Sequence, residues 1–282
     1  MEFLTSNFSR HSQRAPLALK VTALITAFLF ACPGLYLIWR NITSDSDPLG
    51  LLFSEQTLSP LMRTINLTVL VTLSAAILGT GLAWLTIRTD LPSRRVLKLI
   101  LPLPLVFPTF VGAAAFIRTL NPGGIANNLL ENIGIDRTLE LHGLFGAWLV
   151  LTLFTYPYVY LPVAARLKNL PSSLEESARL LGDSGWATFR KVILPQIASS
   201  LFAGSLLVFL YTISDFGAVQ LMRYDTLTRA IWTTRLNNQP VSFALALILL
   251  SLAAFAVIVE TLFSRKFRKP DFCLLYTSDA AD

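Results

Sequence analysis

Asp215, in the string YTISDFGAVQ, is the one acidic residue that interrupts apolar sequence well away from a loop. A carboxylate in such surroundings can attract a cation or pair with a guanidinium, and Arg223 and Arg229 follow closely enough to serve. A second concentration of polar groups runs from Glu175 to Pro195, EESARLLGDSGWATFRKVILP. It carries the carboxylates Glu175, Glu176 and Asp183 and the aromatic pair Trp186 and Phe189, a mixture that an amphipathic helix resting on the lipid surface would also show. No catalytic constellation accompanies either feature. His11 and His142 are the only histidines, and neither belongs to an H-E-x-x-H or Cys/His cluster. Ser74, Ser205 and Ser214 are lone serines with no histidine near in sequence, and no G-x-x-x-x-G-K-[ST] phosphate loop occurs.

The polar interval has its own local design. Pro171 ends the preceding element, and Ser172 with Glu175, or Ser173 with Glu176, forms an S-x-x-E capping pair for a new helix. Two glutamates in the first turn favour the positive end of the helix dipole. Gly182 then offers a left-handed stop, a conformation that a Cβ makes costly. A second short helix is expected from about Ser184, with Trp186 and Phe189 three residues apart on one face. Leu194-Pro195 closes the interval, and Pro195 can open the next helix because an N1 residue needs no amide proton.

What must position these groups is a membrane bundle. The chain is 54% hydrophobic and 14% charged, where ordinary domains carry about 25% charged residues. Uncharged runs cover Val21–Trp39, Thr64–Ile87, Leu99–Ile117, Leu141–Ala165, Val192–Ser214 and Leu236–Val259. Each meets the roughly 20 residues that a helix needs to cross about 30 Å of hydrocarbon. Six spans follow, with both termini on the side that collects 16 of the 23 Lys and Arg. The positive-inside rule makes that side cytoplasmic. The net charge of +6 therefore reports topology; no basic stripe with interleaved aromatics suggests nucleic acid. Two cysteines, Cys32 and Cys273, imply no disulfide framework.

Along the chain, the first span reads as peripheral. In the second, Ala75, Gly79 and Ala83 make a small-xxx-small face, while Asn66, Thr68 and Thr72 need polar partners inside a bundle. Such a helix lines a pathway or packs in the core. Pro102, Pro104 and Pro108 bend or break the third span, and the carbonyls they free must be satisfied by neighbouring helices or water. Between spans, IANNLLENIG has the pattern of a short interfacial helix. Tyr156, in TYPYVYLP, belongs either to an interfacial aromatic belt or to hydrogen bonding inside the bundle.

The string Glu176-Ser177-Ala178, three residues, Gly182, nine residues, Val192-Ile193-Leu194-Pro195 resembles the E-A-A-x3-G-x9-I-x-L-P signature of permease subunits of binding-protein-dependent ABC importers. Ser177 and Val192 depart from it while keeping small or β-branched character. LPLPLVFPTFVGAAAF, TYPYVYLP, SDFG and DTLTRAI further resemble the ferric-iron branch, over about Arg63 to Phe267. The resemblance implies an all-α integral membrane fold of six helices, the type I (MetI-like) permease fold, with no enzymatic activity of its own. It assigns residues 1–17 to a tail, 18–268 to the permease domain with its coupling loop at 171–195, and 269–282 to a second tail. Glu175, Glu176, Ala178, Gly182, Asp183, Trp186, Phe189, Leu194 and Pro195 would dock an ATP-hydrolysing subunit. Asn66, Thr68, Pro104, Pro108, Tyr156 and Asp215 would be the path candidates, Asp215 also for a metal cargo. The implied partners are two ATP-binding subunits that hold ATP and magnesium, a periplasmic substrate-binding protein, a second permease half and membrane lipid, with no cofactor on this chain. CLLYTSDAAD, after the basic residues Arg265 to Lys269, reads as foreign to the permease, and the native gene is expected to continue past about Pro270 into a second half. Thiamine, sulfate, polyamine and other small-solute permeases share the scaffold, so the cargo stays open among them.

Overall fold

The computed structural model describes residues 16–43, 50, 54–132 and 141–267. The amino-terminal tail and the CLLYTSDAAD run lie outside the described residues. Every regular element described is helical. In chain order these are α1 (Leu17–Thr43), α2 (Glu55–Arg88), α3 (Arg94–Ile100), a 3-10 turn at Leu103–Val106, α4 (Thr109–Leu120) and α5 (Ile125–Asn132). Then come α6 (Gly143–Thr155), α7 (Pro157–Lys168), α8 (Ser173–Leu180), α9 (Gly185–Thr188) and a π turn at Phe189–Ile193. The chain continues through α10 (Leu194–Ser214), α11 (Gly217–Leu221), α12 (Leu227–Thr234) and α13 (Gln239–Phe267).

Five helical runs are long and apolar enough to cross a membrane: Leu17–Thr43, Thr57–Arg88, Gly143–Lys168, Gly185–Ser214 and Gln239–Ser264. The third expected span is broken, its halves Arg94–Val106 and Thr109–Asn128 meeting at 99°. Six spans are therefore counted only when this bent pair is one of them. Its cause is local. Leu101 O would accept from residue 104 or 105 in a continuing helix, but Pro104 has no amide proton and Leu105 N–H turns to Pro102 O at 3.1 Å. The freed carbonyl takes the hydroxyl of Tyr156, 2.7 Å away. Tyr156 is thus a buried hydrogen-bonding residue, the second of the two expected roles.

The run through α6 and α7 is the centre of the bundle, with 56% of its most apolar stretch buried against 0% for α1 and 22% for α13. α7 threads between α2 and α10 at two glycines. A Cβ on Gly79 would lie 2.9 Å from Tyr156 O, and one on Gly204 would lie 2.7 Å from Tyr158 O. The face Ala75, Gly79, Ala83 is therefore spent on close packing within the chain, Ala75 and Ala83 being fully buried. The first span is peripheral, as its plain apolar sequence suggested. It packs chiefly on α13, where Asn41 donates to Phe243 O at 3.1 Å.

Two boundaries differ from the sequence expectation. α2 begins at Glu55, nine residues before the apolar run at Thr64, so part of the expected outer loop is helix. Its 34 residues extend about 50 Å, more than hydrocarbon requires. At the end of this extension Arg63 pairs with Asp225 at 3.5 Å, and next to it Thr64 Oγ1 accepts from the amide of Leu227 at 2.9 Å. The second difference concerns Pro195. It sits in the first turn of α10, as expected, but α10 does not stand apart, because α9, the π turn and α10 form one run from Gly185 to Ser214. The i−5 bond from Leu194 N–H to Phe189 O carries the helix past the residue that lacks a donor.

Candidate functional site

The interval at 171–195 folds as helix, turn, helix. α8 ends in a Schellman turn: Asp183 N–H donates to Ala178 O at 3.1 Å and Gly182 N–H to Arg179 O at 3.0 Å. Gly182 has φ +92°, the left-handed conformation the turn requires. Ser184, extended at ψ 160°, caps α9 by accepting from Ala187 N–H at 3.3 Å. Trp186 stacks on Phe189 at 5.6 Å between centroids, and Phe189 meets the edge of Trp84 of α2 at 5.2 Å. Asp183 pairs with Lys191 at 2.7 Å. Ala178 is buried, whereas Glu176 is exposed in the first turn of α8.

The expected capping pair is not made. Ser172 has a helical backbone (φ −64°, ψ −27°) and no side-chain cap bond, since an N-cap oxygen reaches the following amides from extended geometry. Glu175 turns instead to Arg88, the last residue of α2, at 3.1 Å. Arg88 also donates through Nη2 to Leu167 O and Leu170 O, both at 2.9 Å. Leu167 lies in the last turn of α7 and Leu170 just past its end, where a cation also meets the negative end of the helix dipole. Sequence reasoning counted Arg88 only as a topological charge. Its place at the last turn of an apolar helix, facing an acidic loop, was the available signal.

The loop presents apolar side chains outward. Leu180 and Leu181 are each 88% exposed and Trp186 is 72% exposed, beside the half-exposed Leu174. A cavity of about 370 Å³ opens between Trp84, Gly81 and Thr80 of α2 and Gly185, Trp186 and Phe189 of the loop. The aromatic contact between Phe189 and Trp84 is its floor. Leu194 and Pro195 lie in the helical run behind it.

The path candidates form no single cluster. Asp215 is buried at the end of α10. Its carboxylate accepts from Thr109 Oγ1 at 2.8 Å and from the amides of Ala218 and Val219 at 3.0 and 3.3 Å. Its backbone carbonyl accepts from Thr228 at 2.8 Å. The expected pairing with Arg223 or Arg229 is absent among the described residues; Arg229 pairs with Asp225 instead. The reason is position: the chain turns at Asp215, and the amides opening α11 lie closer than any guanidinium. Thr109, which follows Pro108, was not singled out from the sequence. Pro104 lies in the 3-10 turn and Pro108 precedes α4, one on each side of the break. Thr68 is fully buried with no hydrogen-bond partner for its hydroxyl among the described residues, and Asn66 is exposed. A cavity of about 500 Å³ lies between α2, α10 and α13 and includes none of the path candidates. Among the described residues, no group of three or more His, Cys, Asp and Glu is placed to hold a metal ion.

Three kinds of similarity to known proteins bear on this architecture. Residues 75–269 match the family model described as the inner membrane component of binding-protein-dependent transport systems, and the chain belongs to that family. An Fe(3+)-transport system permease protein of Haemophilus influenzae is 30% identical over 258 residues, covering 90% of this chain and 47% of its own length. The chain thus spans about half the length of that relative. A probable sulfate transport permease of Marchantia polymorpha is 26% identical, over 78% of this chain and 76% of its own. The fold matches a chain of a bacterial alginate ABC transporter, crystallised with an alginate-bound periplasmic protein, at a TM-score of 0.68. The identity is 19%, over 89% of this chain and 92% of that one. At that identity the likeness concerns the fold, which is the all-helical ABC importer permease fold.

Proposed function

We propose that this chain is a membrane-spanning permease of an ATP-driven importer, and that ferric iron, delivered by a periplasmic binding protein, is its cargo. The observation that carries the importer reading is the coupling loop. It sets Leu180, Leu181 and Trp186 out in water on a turn held by Gly182 and a base held by Arg88. Exposed apolar groups rimmed by charge mark a surface for another protein. In this reading two ATP-binding subunits, which hold ATP and magnesium, dock on two such loops. One loop comes from this chain and the other from a second permease half, fused or separate. The loop end of the bundle then faces the cytoplasm, with both termini, and the Asp215 end faces the binding protein.

The choice of cargo rests on the Fe(3+)-transport role of the Haemophilus influenzae relative and on the SDFG and DTLTRAI strings. The sulfate relative, matched over three quarters of its own length, favours an oxyanion as the second reading. Co-purification from native membranes tests the importer. An ATP-hydrolysing subunit is expected with the wild type and lost with Leu180→Asp combined with Leu181→Asp, while the chain stays in the membrane. Retention by the variant overturns the assignment of the dock. Uptake of ferric citrate against sulfate by the reconstituted complex then decides the cargo.

A further inference from the structure

We propose that Arg88 is a positioning residue that transmits movement of the coupling loop to the second and fourth spans, an inference that rests on the permease reading above. Four elements converge on this side chain. It ends α2, reaches the carbonyls of Leu167 in the last turn of α7 and of Leu170 just past it, and pairs with Glu175 of α8. The crevice around it is closed by Val192, Ile193 and Gln196 from the start of the fifth span. Arg88 and Glu175 are 12% and 13% exposed, so water screens their attraction little.

The rest of the loop is attached differently. Its Schellman bonds close within the loop itself, and Phe189 reaches α2 by an aromatic edge alone. The Glu175–Arg88 pair is the one ion pair from α8 to a membrane span among the described residues. The guanidinium donates to two carbonyls and lies against the Glu175 carboxylate as an ion pair, so a shift of α8 must either move the ends of α2 and α7 with it or pull the charges apart. Without this link, a push on the loop reaches the bundle through the short 169–172 connection, the Phe189–Trp84 edge and the helix that continues into the fifth span, none of which ties α8 to the end of α2 by charge. With it, the second and fourth spans, already locked together at Gly79 and Tyr156, move as well.

The test compares Arg88→Gln, Glu175→Gln, the double variant and Arg88→Lys with the wild type, first as the permease in lipid nanodiscs. Amides of residues 173–181 are expected to exchange about tenfold faster in each Gln variant, as a lost buried pair implies. The double variant should be no faster than the faster single one, and amides within α2 and α7 should keep their protection. In the complex with ATP-binding subunits and binding protein, ATP hydrolysis should persist while ferric citrate or sulfate taken up per ATP falls. Arg88→Lys should recover part of that ratio. Unchanged exchange at 173–181, additive losses in the double variant, or an unchanged uptake ratio overturns the strut. A wild-type complex without ATP-dependent uptake of either probe overturns the transport reading, and the strut's role with it. Normal wild-type uptake matched by every variant overturns the strut alone.

Discussion

The hydroxyl of Tyr156 donates to the carbonyl of Leu101 at 2.7 Å, across 55 positions of sequence. The prolines that break the third span leave this acceptor without an amide, and the central helix supplies the donor. Tyr156→Phe removes the donor and keeps the ring. Interhelical hydrogen bonds in membranes contribute about 0.6 to 1.7 kcal/mol, so the purified protein should lose that much stability. Thermal unfolding in a fixed detergent measures it, and an unchanged midpoint would mean that water replaces the tyrosine.

Gly79 and Gly204 let α2 and α10 close on α7 from two sides. Valine at either position puts a Cβ within 3 Å of the α7 backbone, where no flexible side chain can yield. Each should cost about 1–3 kcal/mol or more by overpacking, seen as reduced folded protein in the membrane. Gly81, whose Cβ would meet nothing within 4 Å, is the control: Gly81→Ala should leave abundance unchanged.

Gly182→Val tests the turn. A left-handed conformation costs an ordinary residue about 1–2 kcal/mol, and β-branching adds to that. The Schellman bonds should open and the amides of 178–183 should lose protection, while the membrane runs stay intact. Transport and stimulated ATP hydrolysis should fall together. Glu176→Lys, an exposed charge reversal, should weaken the dock without changing the turn. Wild-type transport in both variants would remove the loop from the coupling role.

Asp215 separates structure from cargo handling. Asp215→Ala leaves Thr109 and two amides without their acceptor and should cost about 1–2 kcal/mol, the usual loss for a helix-start cap. Asp215→Asn keeps one carbonyl oxygen for the amides, so its thermal stability should lie near the wild type. If uptake by the Asn variant matches the wild type per folded molecule, the negative charge serves the fold. A large loss of uptake at normal stability would instead assign Asp215 to the path.

Much of this architecture is legible in the sequence, because it depends on neighbours in the chain. Runs of apolar residues determine spans, Gly182 determines a turn, and three prolines within seven positions break a helix wherever it sits. The string at Glu176 to Pro195 resembles a permease signature and lies within the residues 75–269 that match the family. The rest depends on how helices rotate against one another, which spacing does not encode. Ser172 and Glu175 have the sequence of a capping pair, yet a guanidinium 87 positions earlier takes the carboxylate. Asp215 has arginines close by in sequence, yet Thr109, 106 positions away, and the amides of the next turn reach it first. Pro195 opens α10 as its sequence suggests, yet a π turn just before it joins that helix to the loop. For the two carboxylates several partners satisfy the same chemistry, and the tertiary placement of Arg88 and of Thr109 brings them within reach.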